Sequence, residues 1–477
     1  MNKLIKNYIY NLSYQILIMI IPLILLPYLS RTIGAEGTGI YSYTYTIAQY
    51  FVLFAMLGMK NYGIRNIAKV QENKEKRSKL FCSLYCMQVI TTIAAIIVYI
   101  LYTNFVANET YKIYFYIQLI YVFSSILDIS WYFSGMEDFK KILIRNIITK
   151  IFTILLIFYF VKTKNDIWVY TLIMALSYLV GNMILWIKLR KQIDFYIPKK
   201  DEIKIHFLPN LKLFVAVIAV SIYTMMDKIM IEALSNITEL GFYEYAEKIN
   251  YIQVLIISAF GTVMLPRMSN MAEQNENGKF VNNINKSLEF IMFLSCALCF
   301  GIMTVAETFV PIYLGENFKR TTILLQILSI SSLFVSWGNV IRTQYLIPKE
   351  KDNIYIVSVI LGAVVNFIIN LILIPRFQAI GACIATVIAE VTVMLYQSIT
   401  IIKEISLWKN IKKVCPFLIK AIFMMILIYP VKYLEVSEIT IIILQILLGG
   451  IIYLLFNIKY IANLVGRIKM KEGNKNV

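Results

Sequence analysis

The stretch Ser221–Tyr251, SIYTMMDKIMIEALSNITELGFYEYAEKINY, decides how this chain is read. It begins inside one long apolar segment and ends inside the next, yet it carries Asp227, Lys228, Glu244, Glu247 and Lys248. Segments of that length match the thickness of a bilayer, where an ionisable side chain costs several kcal/mol. Such residues face a bundle interior or a water-filled cavity, and they mark function first.

Outward from this stretch, runs of about 20 apolar residues recur from end to end. The 477 residues are 59% hydrophobic and 16% charged, against roughly 25% charged in soluble domains. The expected fold class is an all-α polytopic membrane protein. Hydropathy places about fourteen transmembrane helices. The first six lie near 8–30, 39–59, 80–102, 113–134, 142–161 and 166–187. The next six lie near 210–232, 240–265, 287–311, 321–346, 353–374 and 379–402, and a last pair near 414–433 and 439–458. The apolar run after MNKLIK lacks a small-residue cleavage site and reads as an uncleaved first span.

A net charge of +18 raises nucleic acid as a partner, but the basic residues sit between apolar segments. Roughly 34 of the 46 Lys and Arg fall on the side of the N-terminus, against about 8 in the opposite loops, the positive-inside signature. Both termini are therefore expected in the cytoplasm, with the chain multi-pass in the cytoplasmic (inner) membrane and no nucleic acid involved. The longest loop, 188–212, is too short for a soluble domain. Cys82/Cys86 and Cys296/Cys299 have helical spacings, but His206 is the one histidine, so packing is preferred to a metal site. No cofactor or metal is implied. With no Gly-rich phosphate loop and no Ser/His/Asp set, an enzyme is disfavoured.

An internal repeat has a period near 200 residues. Asn11-Leu12 and Asn210-Leu211 open the first and seventh spans; Gly39-Ile40-Tyr41-Ser42-Tyr43 and Gly241-Phe242-Tyr243-Glu244-Tyr245 open the second and eighth. Ser130-Trp131 has its counterpart in Ser336-Trp337. Each half holds an even number of spans, so the second copy enters from the same side, and a substrate site is expected at the repeat interface. The domains expected are a lobe over 1–200, a second over 201–408, and an accessory helix pair with a cytoplasmic tail over 409–477.

Five stretches carry a family resemblance. They are LPYLSRTIGAEGTGIYSYTYTIAQYF (26–51), DISWYFSGMEDFKKILIRN (128–146), MDKIMIEAL…ELGFYEYAEKI (226–249), GTVMLPRMS (261–269) and IPKEKDNIYIVSVILGAVVNFIINLILIPRFQAIGACIATVIAE (347–390). They resemble the polysaccharide-repeat-unit flippases, the Wzx or RfbX type, of the multidrug/oligosaccharidyl-lipid/polysaccharide (MOP) exporter superfamily. The resemblance runs over nearly the whole chain, in order, including the last pair of spans. It implies two parallel six-helix lobes in a V shape plus an accessory pair. It also implies exchange of undecaprenyl-diphosphate-linked oligosaccharide between leaflets. Polysaccharide polymerases and glycosyltransferases of the same pathway are the implied protein partners, beside membrane lipids. The alternatives are a cation-coupled drug exporter of the same superfamily and, less well supported, a membrane polysaccharide polymerase.

On this reading each intramembrane charge has a candidate role and a plainer structural one. A diphosphate needs positive charge, and Lys binds phosphate as a point charge. Lys150, Lys228 and Lys248 are the candidate substrate-binding cations, with Arg31 beside Gly34, Gly37 and Gly39 as a fourth. Asp227 and Lys228 are about 100° apart on a helix, so they are not expected to face one partner. Glu244 and Lys248 are spaced to pair within a helix. Glu247 and Asp227 are then the coupling candidates, for counter-transport of a proton or small cation. Asp128 and Glu244 are read as structural partners, Asp128 for Lys150. The run Tyr41, Tyr43, Tyr45 and Tyr50 is open to two readings, sugar stacking or an interfacial aromatic belt. Pro22, Pro27, Pro348 and Pro375 are candidate hinges.

Overall fold

The computed structural model describes residues 21–190, 192–274 and 277–473, and no β-strand occurs among them. Among these residues eleven helices are long and apolar enough to cross a membrane, or twelve if Lys200–Val215 and Val217–Leu234 form one bent span. The chain is thus an all-helical polytopic membrane protein. Two of the fourteen expected spans are not in that set. Residues 8–20 of the first lie outside the described residues, and residues 21–32 form helix α1. The second, α2 (Gly34–Met56), forms as a helix but is more polar than the others, with Ser42, Thr44 and Thr46 buried against protein.

Packing divides the chain into two compact units, Met1–Glu244 and Tyr245–Val477. The first contains α1 and α2, then α3 (Met59–Val70), α4 (Lys74–Phe105), α5 (Lys112–Ser124), α6 (Ser130–Gly135), α7 (Phe139–Phe160), α8 (Ile167–Leu189) and α9 (Lys200–Leu234). The unit boundary falls inside α10 (Ile237–Glu273).

Two features of the first unit depart from the hydropathy reading. The expected loop 60–79 contains α3, an amphipathic helix that buries Met59, Gly63 and Ile67 and exposes Lys60, Arg65 and Lys69. A Cβ at Gly63 would lie 2.6 Å from the Trp131 ring, so glycine is what lets α3 lie flat on α6. The fourth span is broken between α5 and α6, where Asp128 is extended (φ −77°, ψ 98°). A backbone break at membrane depth must be satisfied from within the protein. Gln88 does this: its Nε2 donates to the carbonyls of Ser125 (2.6 Å) and Asp128 (3.0 Å), while its Oε1 accepts from Trp131 Nε1 (2.9 Å).

The second unit holds α11 (Asn277–Leu314), α12 (Lys319–Ile341), α13 (Asp352–Phe377), α14 (Ala379–Thr400), the accessory pair α15 (Leu407–Ile428) and α16 (Glu438–Phe456), and the amphipathic α17 (Ile458–Gly473). Helices in lipid gain little from hydrophobic burial against one another, so close packing of small residues and interhelical hydrogen bonds hold them. Both devices are present. A Cβ at Gly381 on α14 would lie 2.5 Å from the Leu373 carbonyl of α13. Ser295 and Ser336 share a hydrogen bond at 2.5 Å, and Trp337 Nε1 donates to Ser398 Oγ at 3.0 Å. The accessory pair packs on α11 through Phe293, whose ring meets those of Phe417, Tyr453 and Tyr460. Ion pairs Lys413–Glu289 and Lys432–Glu307 pin it near both ends. Between α11, α15 and α16 lies a cavity of about 560 Å³, walled by hydrocarbon from Leu298, Phe309, Ile428 and Leu454 among others.

Candidate functional site

The charged stretch that opened the sequence reading is organised in the first unit by a glycine crossing. A Cβ at Gly39 would overlap the backbone carbonyl of Ile237, and a Cβ at Gly241 would overlap that of Ala35. The contact is reciprocal, since each glycine meets the residue four places before the other. These are the two glycines that the internal repeat sets in equivalent positions. Their lack of a side chain brings α2 and the start of α10 into backbone contact, and equivalent residues one turn on then meet. Ser42 Oγ donates to Glu244 Oε2 at 2.6 Å, with both side chains buried.

α9 completes the arrangement. Lys228 Nζ lies 2.8 Å from Glu244 Oε2, the side chains being 17% and 8% exposed. Asp227 is also buried, and its Oδ2 accepts from Tyr243 OH at 3.0 Å. Consecutive residues of α9 therefore pair with consecutive residues of α10. Asp227 and Lys228 thus meet different residues of one helix. Tyr243 and Glu244 are themselves about 100° apart on a helix, so two antiparallel neighbours offer a matching pair of faces. Tyr50 OH donates to the Ser221 carbonyl of α9 at 3.2 Å. The set is a buried relay of Lys228, Glu244 and Ser42, flanked by Asp227 and Tyr243.

Glu247 and Lys248 are half-buried one turn further along α10, in the second unit. Lys150 is half-buried on α7. Asp128 does not serve as its partner: its Oδ1 accepts from the Ser130 amide at 2.9 Å and caps α6. A short carboxylate at an extended residue next to a helix start is geometrically suited to capping, which the span-centred reading overlooked. Arg31 is exposed at the end of α1, and its Nη1 donates to the Pro27 carbonyl at 2.7 Å. Tyr41 and Tyr45 form neither belt nor open platform. They stack on each other (5.5 Å between centroids), Tyr45 stacks on Tyr121 (5.1 Å), and Tyr45 OH meets Tyr178 OH at 2.9 Å.

Two residues were missed by sequence reasoning. Ser42 carried no charge to flag it, although its place in the repeat aligned it with Glu244. Arg145 was not singled out, although it falls at the start of the expected fifth span; α7 runs from Phe139 to Phe160, and Arg145 Nη1 donates to Asn182 Oδ1 at 3.0 Å. An asparagine inside the apolar run VGNMILW, Asn182, was the available signal for its partner.

Comparison with known proteins places the fold and the family. The model of the polysaccharide biosynthesis protein family matches residues 4–272, and that of the lipid II flippase MurJ matches residues 228–449. A putative O-antigen transporter of Escherichia coli is 23% identical over 388 residues, covering 81% of this chain and 93% of the relative. The lipid II flippase MurJ of Bacillus subtilis is 28% identical over 162 residues, 33% of this chain and 29% of that protein. Among solved structures, the inward closed conformation of lipid II flippase MurJ superposes with a TM-score of 0.73 at 17% identity, covering 97% of this chain and all (100%) of that one. An inward-facing multidrug resistance MATE transporter of the MOP superfamily follows at 0.57 and 13%, covering 81% of this chain and 98% of the other. At these identities the structural likenesses establish the fold.

Proposed function

The chain belongs to the polysaccharide biosynthesis protein family, of the Wzx type within the MOP superfamily, and from that premise we propose that it flips undecaprenyl-diphosphate-linked oligosaccharide across the cytoplasmic membrane by alternating access. The observation that carries this reading is the buried relay of Lys228, Glu244 and Ser42 at the glycine crossing of α2 and α10. Nothing in a purely structural membrane helix requires a lysine there, and the desolvation of two ions is a large cost to sustain. The cost is intelligible if Lys228 exchanges Glu244 for the diphosphate of the carrier during the cycle. A ligand shifts a two-state equilibrium through its differential interaction with the two states. An anion competing for Lys228 releases Glu244 and Ser42, and so favours separation of α2 from α10. On the return, Glu244 recaptures Lys228 and neutralises it. The hydrocarbon-walled cavity of the second unit suits the polyprenyl chain of such a carrier. Asp227, and Glu247 further along α10, remain the proposed sites for an accompanying proton or cation.

The test is reconstitution. Purified protein in vesicles is expected to move a fluorescent undecaprenyl-diphosphate-linked sugar from one leaflet to the other, scored by loss of protection from an impermeant quencher. Protein-free rates of movement would remove the proposal. Cytoplasmic placement of both termini is tested separately. In a cysteine-free variant, single cysteines at Lys76 and Asn108 are expected to react with impermeant maleimide from opposite sides of the membrane, the first only after cell opening. Equal labelling of both in intact cells would refute the topology.

A further inference from the structure

α12 ends in a π-helical turn, Arg342–Leu346, whose cause lies two residues further on. Pro348 has no N–H to give the Gln344 carbonyl four residues before it, so an α-helical ladder cannot pass this point. The chain takes in one extra residue instead, and Ile347 N donates to the Arg342 carbonyl at 3.0 Å, five residues back. Such turns recur at functional sites within helices. Gln344 lies inside the turn with its side chain fully buried, and among the described residues neither its Nε2 nor its Oε1 has a hydrogen-bond partner. An unpaired buried amide is a standing cost that a methionine there would avoid. The residues around it are held in place. Arg342 lies over the Tyr355 ring of α13 and Tyr345 against Phe280 of α11. Lys351 Nζ donates to Tyr345 OH at 2.8 Å and to Glu404 Oε1 at 3.0 Å.

A partner stands one helical position away. Asn339 and Thr343, a turn apart, meet α10 at Gly261, where a Cβ would lie 2.4 Å from Asn339 Oδ1 and 3.1 Å from Thr343 Oγ1. Thr343 uses its hydroxyl within its own helix, donating to the Asn339 carbonyl at 2.7 Å. If the extra residue passes one turn up α12, every residue below it advances by one position, a rotation of about 100°. Gln344 then stands where Thr343 stands now, beside the Asn339 amide. A second unpaired group flanks the same stretch. Gln397 of α14 donates through Nε2 to Ser358 Oγ at 2.8 Å, but its buried Oε1 has no partner among the described residues. That oxygen would lie 3.6 Å from a Cβ at Gly338, so glycine leaves the α12 backbone uncovered beside it, just where the moved turn would release amide N–H groups. We propose that α12 carries a register switch: during the transport cycle the extra residue moves from the 342–346 turn to the turn above, and Gln344 exchanges an unpaired site for a bonded one against Asn339. Two registers that differ in the pairing of a buried group are two states between which a ligand can select. The proposal rests on the alternating-access reading and adds to it the element of the second unit that changes shape.

The experiment compares the purified full chain with Gln344→Met, which keeps the length of the side chain and removes its amide. The melting temperature of the variant is expected to match or exceed that of the wild type, because the resting register loses an unpaired group. Flipping of the fluorescent undecaprenyl-diphosphate-linked sugar in vesicles is expected to fall at least roughly tenfold, because the second register loses its bond. Hydrogen–deuterium exchange reads the switch directly. Backbone amides of 338–346 should exchange at least roughly tenfold more slowly in Gln344→Met than in the wild type, since the variant stays in the resting register. A glutamine that only fills space predicts normal flipping and unchanged exchange in Gln344→Met, and either result overturns the switch. A lowered melting temperature overturns it too, because the amide would then be paired at rest. Should Gln344→Met fail to fold, Asn339→Ala removes the proposed partner instead, and normal flipping with unchanged exchange in that variant is equally decisive against the switch. Melting and exchange are read without transport. A wild-type protein that moves no sugar lipid would therefore remove the flippase reading and leave those two measurements to judge the register switch.

Discussion

Gly241→Val is expected to abolish flipping in vesicles while the protein still reaches the membrane. At the crossing of α2 and α10 there is no room for one carbon beyond the backbone, because a Cβ at Gly241 already overlaps the Ala35 carbonyl. Overpacking of a closely fitted contact costs about 1–3 kcal/mol or more, enough to make a dominant conformation a minority one. Gly39→Val meets the Ile237 carbonyl in the same way and should fail alike. Since the two glycines make one contact, the double variant should be little worse than either single one. Alanine gives the sharper discrimination. In an ordinary helix interior, Gly→Ala is favourable by about 0.8–1 kcal/mol. If the crossing is unimportant, Gly39→Ala and Gly241→Ala will be neutral or stabilising. The expectation is the reverse: a loss of flipping of about tenfold or more for each, measured at matched protein levels. Wild-type rates in both would remove the crossing from the mechanism.

The second large effect concerns the buried ion pair. Lys228→Met should lower the folded protein recovered from membranes and its melting temperature, because it takes the lysine from a buried carboxylate, Glu244. Breaking a buried pair from one side costs about 3–5 kcal/mol, whereas removing both charges is often neutral. The double variant Lys228→Met/Glu244→Gln should therefore regain the lost stability, with the introduced amide oxygen still able to accept from Ser42. Its transport separates the two roles of Lys228. A lysine that only staples α9 to α10 predicts that flipping returns along with stability. The lysine proposed to receive the diphosphate predicts a well-folded protein that flips at less than roughly a tenth of the normal rate, a deficit of about 1.4 kcal/mol or more. Recovery of both together would reduce Lys228 and Glu244 to a structural pair.

Much of this was legible in the chain. Runs of apolar residues announced a helical membrane protein, since only closed backbone hydrogen bonding survives in hydrocarbon. Asp227, Lys228 and Glu244 stood out because charge at that depth is costly. The equivalence of Gly39 and Gly241 showed in the GxYxY pattern they share. Local chemistry suffices for each of these inferences.

Partnership was not legible, because it depends on which helix faces are brought together. Spacing suggested Lys248 for Glu244, and Asp128 was read as a partner for Lys150. The fold sets Glu244 against Lys228 and Ser42, residues 16 positions and 202 positions away in the chain, and turns Asp128 to the Ser130 amide. Helical periodicity tells which residues share a face, and hydropathy tells how deep they lie. Neither tells which face meets which, because in lipid that choice is made by small differences in packing and hydrogen bonding. The sequence by itself determined the bilayer-spanning helices and the residues that could not be idle within them. Tertiary structure alone decided their partners, through two glycines that let α2 and α10 touch backbone to backbone.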